Sequence, residues 1–101
     1  MRLSQAAQAT GGQLVGKDLD FARVSTDTRS IVRGDLFVAL RGERFDAHEF
    51  LSQAAASGAC AALVEKDTGA FDSYVRVGDT RIGLGKLAAA WADQFSTLRI
   101  A

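Results

Sequence analysis

Two polar loops contain the side chains best suited to binding a ligand, at residues 26–29 and 42–48. The first loop reads Thr-Asp-Thr-Arg, and hydroxyls beside a guanidinium can hold a nucleobase edge, a ribose or a phosphate. Turns commonly use the same residue types, with Asp27 paired to Arg29 and the threonines closing the turn. The sequence leaves both interpretations open, and the turn is the commoner use of such residues.

The second loop follows a predicted strand and opens a predicted helix, with the sequence Gly-Glu-Arg-Phe-Asp-Ala-His. Open α/β sheets bind ligands outside the carboxyl ends of their strands, and helix N-termini attract anions. Arg44 and His48 would add donors there, and an exposed Phe45 would offer a stacking face for a base. In the alternative interpretation Asp46 only caps the helix, Phe45 is core and His48 is solvated.

Catalysis by this chain has no support in the sequence. The chain has one His and one Cys, too few for a metal site of the usual ligand count. A dyad of Cys60 and His48 is conceivable, but Cys60 lies in an apolar strand, where thiols usually pack inertly. No glycine-rich phosphate loop is present, since Gly83 and Gly85 fit neither common pattern. We therefore predict no catalytic residue and no metal site.

Length and charge narrow the class of protein. The 101 residues suffice for one domain, and twelve basic residues balance twelve acidic ones. A nucleic-acid binder usually shows a basic excess, and a membrane helix needs about 20 apolar residues in a row. A single cysteine fits a reducing compartment. We expect a cytoplasmic monomer that binds neither nucleic acid nor a membrane.

The elements that position the two loops can be read from apolar patterns. Residues 36–40 and 60–64 are apolar runs of strand length, and an alanine-rich helix opened by Asp46 lies between them. This βαβ unit predicts parallel strands. The helix carries one apolar stripe at helical spacing, formed by Ala47, Phe50, Leu51, Ala54 and Ala55. Leu36, Val38 and Phe50 are expected in the core.

Shorter elements complete the prediction. Strands are expected at residues 13–15, 24–26 and 74–77, and helices at 3–10 and from Asp79 or Thr80 onward. Ser4 is the expected cap of the first helix, and Gly11 and Gly12 its end. The predicted fold class is α/β, a small mixed sheet with flanking helices.

The motifs together resemble one protein family. Residues 26–29, 34–40, 42–50 and 58–59 are similar to the N-terminal domain of the Mur ligases, bacterial enzymes that build the cell-wall peptide on UDP-N-acetylmuramic acid. The resemblance covers nearly the whole chain, although Arg33 stands where the family has proline. Thr-Asp-Thr-Arg and Gly-Glu-Arg-Phe-Asp-Ala-His most resemble the branch that adds D-alanyl-D-alanine to UDP-N-acetylmuramoyl-tripeptide. The sister branch that adds the third amino acid, or a stand-alone nucleotide-sugar-binding module, is the alternative.

The resemblance implies a division of labour between domains. Residues 1–97 would bind the UDP end of the substrate, and residues 98–101 would begin a strand leading into a central ATPase domain outside this chain. ATP, magnesium and D-alanyl-D-alanine would bind in those other domains, so the 101 residues alone are expected to be inactive. The implied contacts with the UDP moiety come from nine residues: Thr26, Thr28, Arg29, Gly42, Glu43, Arg44, Phe45, Asp46 and His48.

Overall fold

A five-stranded mixed sheet positions both polar loops. The computed structural model describes residues 1–42 and 46–100, and side chains as far as residue 92. Two short 3-10 turns, Thr28–Ser30 and Ala47–Phe50, follow β2 and β3. The helices and strands are α1 (Leu3–Thr10), β1 (Gln13–Val15), β2 (Arg23–Ser25), β3 (Asp35–Val38), α2 (Leu51–Ala56), β4 (Ala61–Val64), β5 (Tyr74–Arg76) and α3 (Thr80–Ile100).

The strand order is β1-β5-β4-β3-β2, with β1 antiparallel to β5 and the other four strands mutually parallel. The predicted βαβ unit is present, because β3 and β4 pair in parallel across the turn and helix that connect them. The α/β class and the mixed sheet are confirmed. Parallel strands end on the same side, so the segments after β2, β3, β4 and β5 meet along one edge. We call this the carboxyl edge.

The core has two layers, one on each face of the sheet. Since β3 and β4 are covered on both faces, every residue in them is buried, as their continuous apolar runs predicted. On one face α1 and α3, which contributes Leu87, pack over Leu36, Val38, Leu63 and Val75. On the other face lie Phe37, Ala47, Leu51, Val64 and Tyr74.

An aromatic pair holds α3 near the edge strand β2. The ring of Trp91 packs against Phe21, with centroids 5.9 Å apart and ring planes inclined by 31°. Phe21 is buried and Trp91 is half-buried on the face that carries α1 and α3. The two rings therefore lie across the sheet from α2.

The ends of α1 agree only partly with the sequence prediction. Gly11 ends the helix in the left-handed conformation at φ 71°, as expected for glycine. Ser4, however, is not the cap. Its amide and hydroxyl both donate to Asp18 at 2.8 Å, whereas Arg2 takes the cap position and its amide donates to Gln5. Ser4 therefore bonds to a side chain fourteen residues away instead of capping its own helix.

α3 begins as predicted but extends further. The Asp79 carboxylate accepts hydrogen bonds from the amides of Arg81 and Ile82 at 2.9 and 3.2 Å, so Asp79 caps the helix. The strand expected from residue 98 is wrong over residues 98–100, which are helical, and Ala101 lies outside the described residues. The sequence after Gly85 contains no glycine or proline that would end the helix. A helix forms its hydrogen bonds locally, whereas a strand at these residues would need a sheet edge to pair with. No helix in the described ranges is both long and apolar enough to cross a bilayer.

An ion pair between an exposed arginine and a buried aspartate joins β2 to β3 at the opposite edge. The Asp35 side chain is fully buried and accepts hydrogen bonds from Nε and a terminal nitrogen of Arg23, both at 3.2 Å, and from the Val32 amide at 3.0 Å. Burial alone would raise the pKa of Asp35, but the bonds from Arg23 and Val32 outweigh it and lower the pKa. The preceding turn needs Gly34, whose φ is 91°.

Candidate functional site

The first polar loop folds as a capped 3-10 turn at the end of β2. The Asp27 carboxylate accepts hydrogen bonds from the Arg29 amide at 2.9 Å and from its guanidinium at 2.9 and 3.2 Å. The guanidinium and then the amide of Arg29 lower the pKa of Asp27. The turn interpretation is therefore present in the structure. It does not exclude ligand binding, because the Arg29 side chain is 87% exposed, Thr26 is exposed and Thr28 is half-buried.

A cleft of about 530 Å³ lies beside this turn at the carboxyl edge. The first loop contributes hydroxyls and charges to its lining, and Phe37 and Phe50 contribute aromatic surface. Such a cleft suits a ligand with a planar ring and a polar or anionic remainder. Its lining residues come from the segments after β2 and β3 and from β3 itself: Thr26, Asp27, Thr28, Arg29, Phe37, Ala47, Phe50 and Gln53.

Phe50 corrects one sequence prediction. It was expected in the core but is only half-buried, and it lines the cleft. Ala47 and Leu51 of the same apolar stripe are buried, as expected. The difference arises because residues 47–50 form a 3-10 turn, whose side chains do not follow the α-helical spacing that the stripe assumed.

His48 lies in the second loop but not in the cleft lining. Its side chain is 4% exposed, Nδ1 lies 2.6 Å from the Asp46 carboxylate and Nε2 accepts a hydrogen bond from the Glu65 amide at 2.9 Å. With both nitrogens engaged, the ring holds the loop in place and has no nitrogen left to offer a ligand. The solvated alternative weighed from the sequence is also wrong.

Asp46 caps the turn that opens α2, as predicted. Its carboxylate accepts from the His48 amide at 2.9 Å. Burial would raise the pKa of Asp46, but the bonds from the His48 amide and ring outweigh it and lower the pKa. Asp46 also pairs with Arg41 through an isolated antiparallel bridge, which closes the base of the loop.

Part of the predicted site cannot be compared with the structure. Gly42 is exposed at the carboxyl edge. Glu43, Arg44 and Phe45 lie outside the described residues, so their predicted contacts with a ligand stay predictions.

Cys60 and His48 are not brought together. Cys60 immediately precedes β4, and its thiol faces the Asp20 carbonyl at 3.8 Å. His48 contacts Glu65, which follows β4, so the length of the strand separates the two side chains. Burial raises the pKa of the Cys60 thiol, which also disfavours a reactive thiolate.

Sequence reasoning missed Phe37 and Gln53 as cleft residues. Phe37 lies within the apolar run of β3, where nothing distinguishes a core residue from one at the floor of a cleft. Gln53 lies three residues after Phe50, and neighbouring helical positions share a face, but this signal was lost because Phe50 itself was expected in the core. A second cleft, about 380 Å³ between β2 and α3, is lined by apolar side chains and by Arg23, whose guanidinium is paired with Asp35, so it offers little to orient a polar ligand.

Comparison with curated proteins gives a consistent set of relatives. Residues 20–92 match the family model described as "Mur ligase family, catalytic domain". UDP-N-acetylmuramoyl-tripeptide--D-alanyl-D-alanine ligase of Escherichia coli (strain K12) is 46% identical over 98 residues, covering 97% of this chain and 22% of that protein. UDP-N-acetylmuramoyl-L-alanyl-D-glutamate--2,6-diaminopimelate ligase of Gloeobacter violaceus is 36% identical over 97 residues, covering 92% and 20%. The chain spans about a fifth of the length of these relatives.

Solved structures agree with this result. A crystal structure of MurF from Acinetobacter baumannii superposes with a TM-score of 0.79 at 39% identity, covering 91% of this chain and 21% of that one. MurF ligase from Thermotoga maritima in complex with ADP gives a TM-score of 0.59 at 36% identity, covering 65% and 16%. The sheet and its flanking helices are thus shared with experimentally determined folds.

Proposed function

The chain belongs to the Mur ligase family, and from this premise we propose that it is the N-terminal domain of a ligase that adds D-alanyl-D-alanine during peptidoglycan precursor synthesis. Its part in that reaction is to bind the UDP end of UDP-N-acetylmuramoyl-tripeptide. It contributes binding and positioning, which matter because held reactants gain a large effective molarity.

The observation that carries this proposal is the mixed cleft at the carboxyl edge. It gathers the first loop, the floor of β3 and the entry to α2 around a space of about 530 Å³. Open α/β sheets bind nucleotides at such edges. The cleft also offers both kinds of surface that a nucleoside diphosphate needs.

Each cleft residue has a role under this proposal. Phe50 packs against the uracil ring, since aromatic faces bind bases by stacking, and the buried Phe37 forms the floor beneath it. The exposed guanidinium of Arg29 pairs with the diphosphate, and the hydroxyls of Thr26 and Thr28 bind ribose or phosphate oxygens.

The second loop completes the proposed site. Gly42, Glu43, Arg44, Phe45 and Asp46 remain candidates for contacts with the UDP moiety. His48 remains part of the site as a positioning residue, because its ring is already bonded to Asp46 and Glu65.

The remaining chemistry belongs to other domains of the proposed enzyme. Residues 1–97 form the UDP-binding domain, and the following residues lead toward a central ATPase domain, here as a continuation of α3. ATP, magnesium and D-alanyl-D-alanine bind outside this chain, in a cytoplasmic and monomeric ligase. The 101 residues alone should neither hydrolyse ATP nor form a peptide bond, and measurable turnover by the pure chain would contradict the assignment.

Titration with UDP followed by ¹⁵N NMR tests the binding role. We expect weak binding, because the substrate also contacts the other domains, with shift changes concentrated at residues 26–30 and 42–48. ATP at the same concentrations should leave these amides unchanged. Changes confined to α3, or none with UDP at millimolar concentration, would contradict the site.

A sister ligase remains the second candidate, because the Gloeobacter violaceus relative that carries the diaminopimelate name covers 92% of this chain. The full-length protein distinguishes the two. Turnover with UDP-N-acetylmuramoyl-tripeptide and D-alanyl-D-alanine supports the D-alanyl-D-alanine ligase. Turnover with UDP-N-acetylmuramoyl-L-alanyl-D-glutamate and diaminopimelate supports the sister ligase. A gene with no P-loop sequence downstream would instead indicate a stand-alone nucleotide-sugar module.

A further inference from the structure

Gln53 lines the cleft with a side-chain amide that makes no hydrogen bond to any group in the described part of the chain. It is the third residue of α2 and is exposed. The charged lining residues Asp27 and Arg29, by contrast, are already bonded to each other. An amide group has one acceptor oxygen and two donor hydrogens, so Gln53 offers the cleft both kinds of hydrogen-bonding group.

Gln53 lies next to Phe50. Phe50 directly precedes α2, and Gln53 follows it by three residues. Side chains three positions apart lie side by side on one face of a helical segment, about 5–6 Å apart at their Cβ atoms. Both residues also line the same cleft. A flat ring packed against Phe50 therefore brings its edge within reach of the Gln53 amide.

The edge of uracil matches this amide. Its N3–H group donates a hydrogen bond, and the carbonyl groups on either side accept one. A glutamine side chain can accept from N3–H through its oxygen and donate to the neighbouring carbonyl through its nitrogen, as glutamine does on other base edges.

From this match we propose that Gln53 binds the N3–H group and an adjacent carbonyl of uracil, while Phe50 stacks on the ring. The contact ties the affinity of the cleft to the identity of the base, which the diphosphate contacts of Arg29 do not. This inference rests on the proposed function, because it presumes that UDP occupies the cleft.

Two other roles for an exposed glutamine make different predictions. A residue that only solvates the surface of α2 would not respond to the ligand. An amide bonded to the diphosphate would respond to any diphosphate and would be indifferent to the base. A group on the base edge responds only when N3–H is free to donate, so a ligand altered at that atom separates the three roles.

The Kd ratio of two nucleotides tests the contact. We expect the 101-residue chain to bind 3-methyluridine 5′-diphosphate about three- to tenfold more weakly than UDP in an NMR titration, because the methyl group replaces the hydrogen that Gln53 accepts. Gln53→Leu should bind the two nucleotides with similar Kd values, since leucine accepts no hydrogen bond. Taking the ratio cancels any general effect of the substitution on the cleft.

Gln8→Leu is the matched control. Gln8 is an exposed residue of α1, which packs on the face of the sheet opposite α2, and it undergoes the same chemical change. This variant should retain the full discrimination between the two nucleotides. Glutamine and leucine have similar helix propensities, so both variants should keep the unfolding midpoint of the unaltered chain.

The Gln53 amide also gives a direct readout, because its NH₂ group has its own signals in a ¹⁵N spectrum. UDP should shift these signals, whereas inorganic pyrophosphate at the same concentration should leave them unchanged. A shift of equal size with pyrophosphate would mean that the amide contacts phosphate, and it would overturn the inference.

The affinities decide in the same way. Equal binding of UDP and its 3-methyl analogue by the unaltered chain, or undiminished discrimination in Gln53→Leu, would overturn the assignment of Gln53 and leave the proposed function intact. Failure of the unaltered chain to bind UDP would overturn both proposals.

Discussion

The imidazole of His48 accepts the backbone hydrogen of Glu65, seventeen residues further along the chain. An amide can only donate, so Nε2 is unprotonated and the ring proton lies on Nδ1, from which it is donated to Asp46. The bond joins the turn before α2 to the segment after β4. The carboxyl edge is thus connected across its surface by a side chain as well as by the sheet.

Replacing His48 should destabilise the fold. His48→Ala removes two hydrogen bonds and leaves the Glu65 amide without its partner, which costs about 1–3 kcal/mol in the free energy of unfolding. Urea unfolding followed by circular dichroism measures this. Glu49→Ala, at the exposed neighbouring position, should change stability by less than about 0.5 kcal/mol. Equal stability of both variants would mean that the His48 bonds contribute little.

The Arg23–Asp35 pair should make the free energy of unfolding depend on pH in the acidic range. The pKa of Asp35 is lower in the folded chain than in the unfolded one, so its stabilising contribution is complete above the ordinary carboxyl pKa of about 4. It is lost as the pH falls through the lower folded pKa. We expect the free energy of unfolding to decrease from pH 5 to pH 2.5, and Asp35→Asn to reduce this slope. Asp20→Asn, which removes an exposed carboxylate, should reduce the dependence of the free energy of unfolding on pH by less than Asp35→Asn does.

Phe50 and Phe37 should respond differently to truncation. Phe37 is 1% exposed, so Phe37→Ala should cost about 3–5 kcal/mol of unfolding free energy. Phe50 is half-buried beside open cleft, and Phe50→Ala should cost about 1–2 kcal/mol, because less of its surface leaves water on folding. If Phe50 stacks on uracil, its loss weakens UDP binding by about 1–3 kcal/mol. A stability loss at Phe50 as large as that at Phe37 would restore the core assignment.

Arg29→Ala should separate binding from folding. Arg29 pairs with Asp27 on the surface, where solvent screens the two charges, so the free energy of unfolding should hardly change. Loss of a charge-assisted contact with the diphosphate would raise the Kd for UDP, or the KM for the UDP substrate in the full-length enzyme, about ten- to a hundredfold. Arg33→Ala is the control, because Arg33 is exposed before β3 at the opposite edge. An Arg29 variant with unaltered UDP binding would leave the turn as the only role of this residue.

Arg44→Ala tests the second loop in the same assay. We expect it to raise the KM for the UDP substrate by a similar factor. The KM values for ATP and D-alanyl-D-alanine should not change, because those ligands bind in other domains of the proposed enzyme. A similar rise in all three KM values would instead indicate damage to the fold.

The sheet could be predicted from the sequence because its signals are local. The apolar runs at 36–40 and 60–64 mark strands covered on both faces, and Asp46 and Asp79 mark the starts of helical segments. The limits of β1 match the predicted ones and those of the other strands differ by one or two residues, since pairing across the sheet decides where a strand ends.

The candidate site was less predictable because its contacts connect distant residues. The role of His48 depends on the amide of Glu65, and the role of Ser4 depends on Asp18, neither of which follows from spacing. Phe50 was misplaced because a 3-10 turn replaced the first turn of the predicted α-helix. Each loop was correctly predicted to follow a strand, but only the parallel pairing of β2 and β3 shows that the two strands end at the same edge.

The stacking of Trp91 on Phe21 provides this protein with an intrinsic fluorescence probe. Trp91 is the only tryptophan in the chain, and its ring contacts the face of the sheet opposite the cleft. Its emission will report whether α3 is docked, whereas a nucleotide entering the cleft will neither quench nor shift it by contact. With excitation at the long-wavelength edge of the tryptophan band, where uracil absorbs little, unfolding curves can therefore be recorded in the presence of UDP, and an increase in the midpoint will measure affinity through linkage alone.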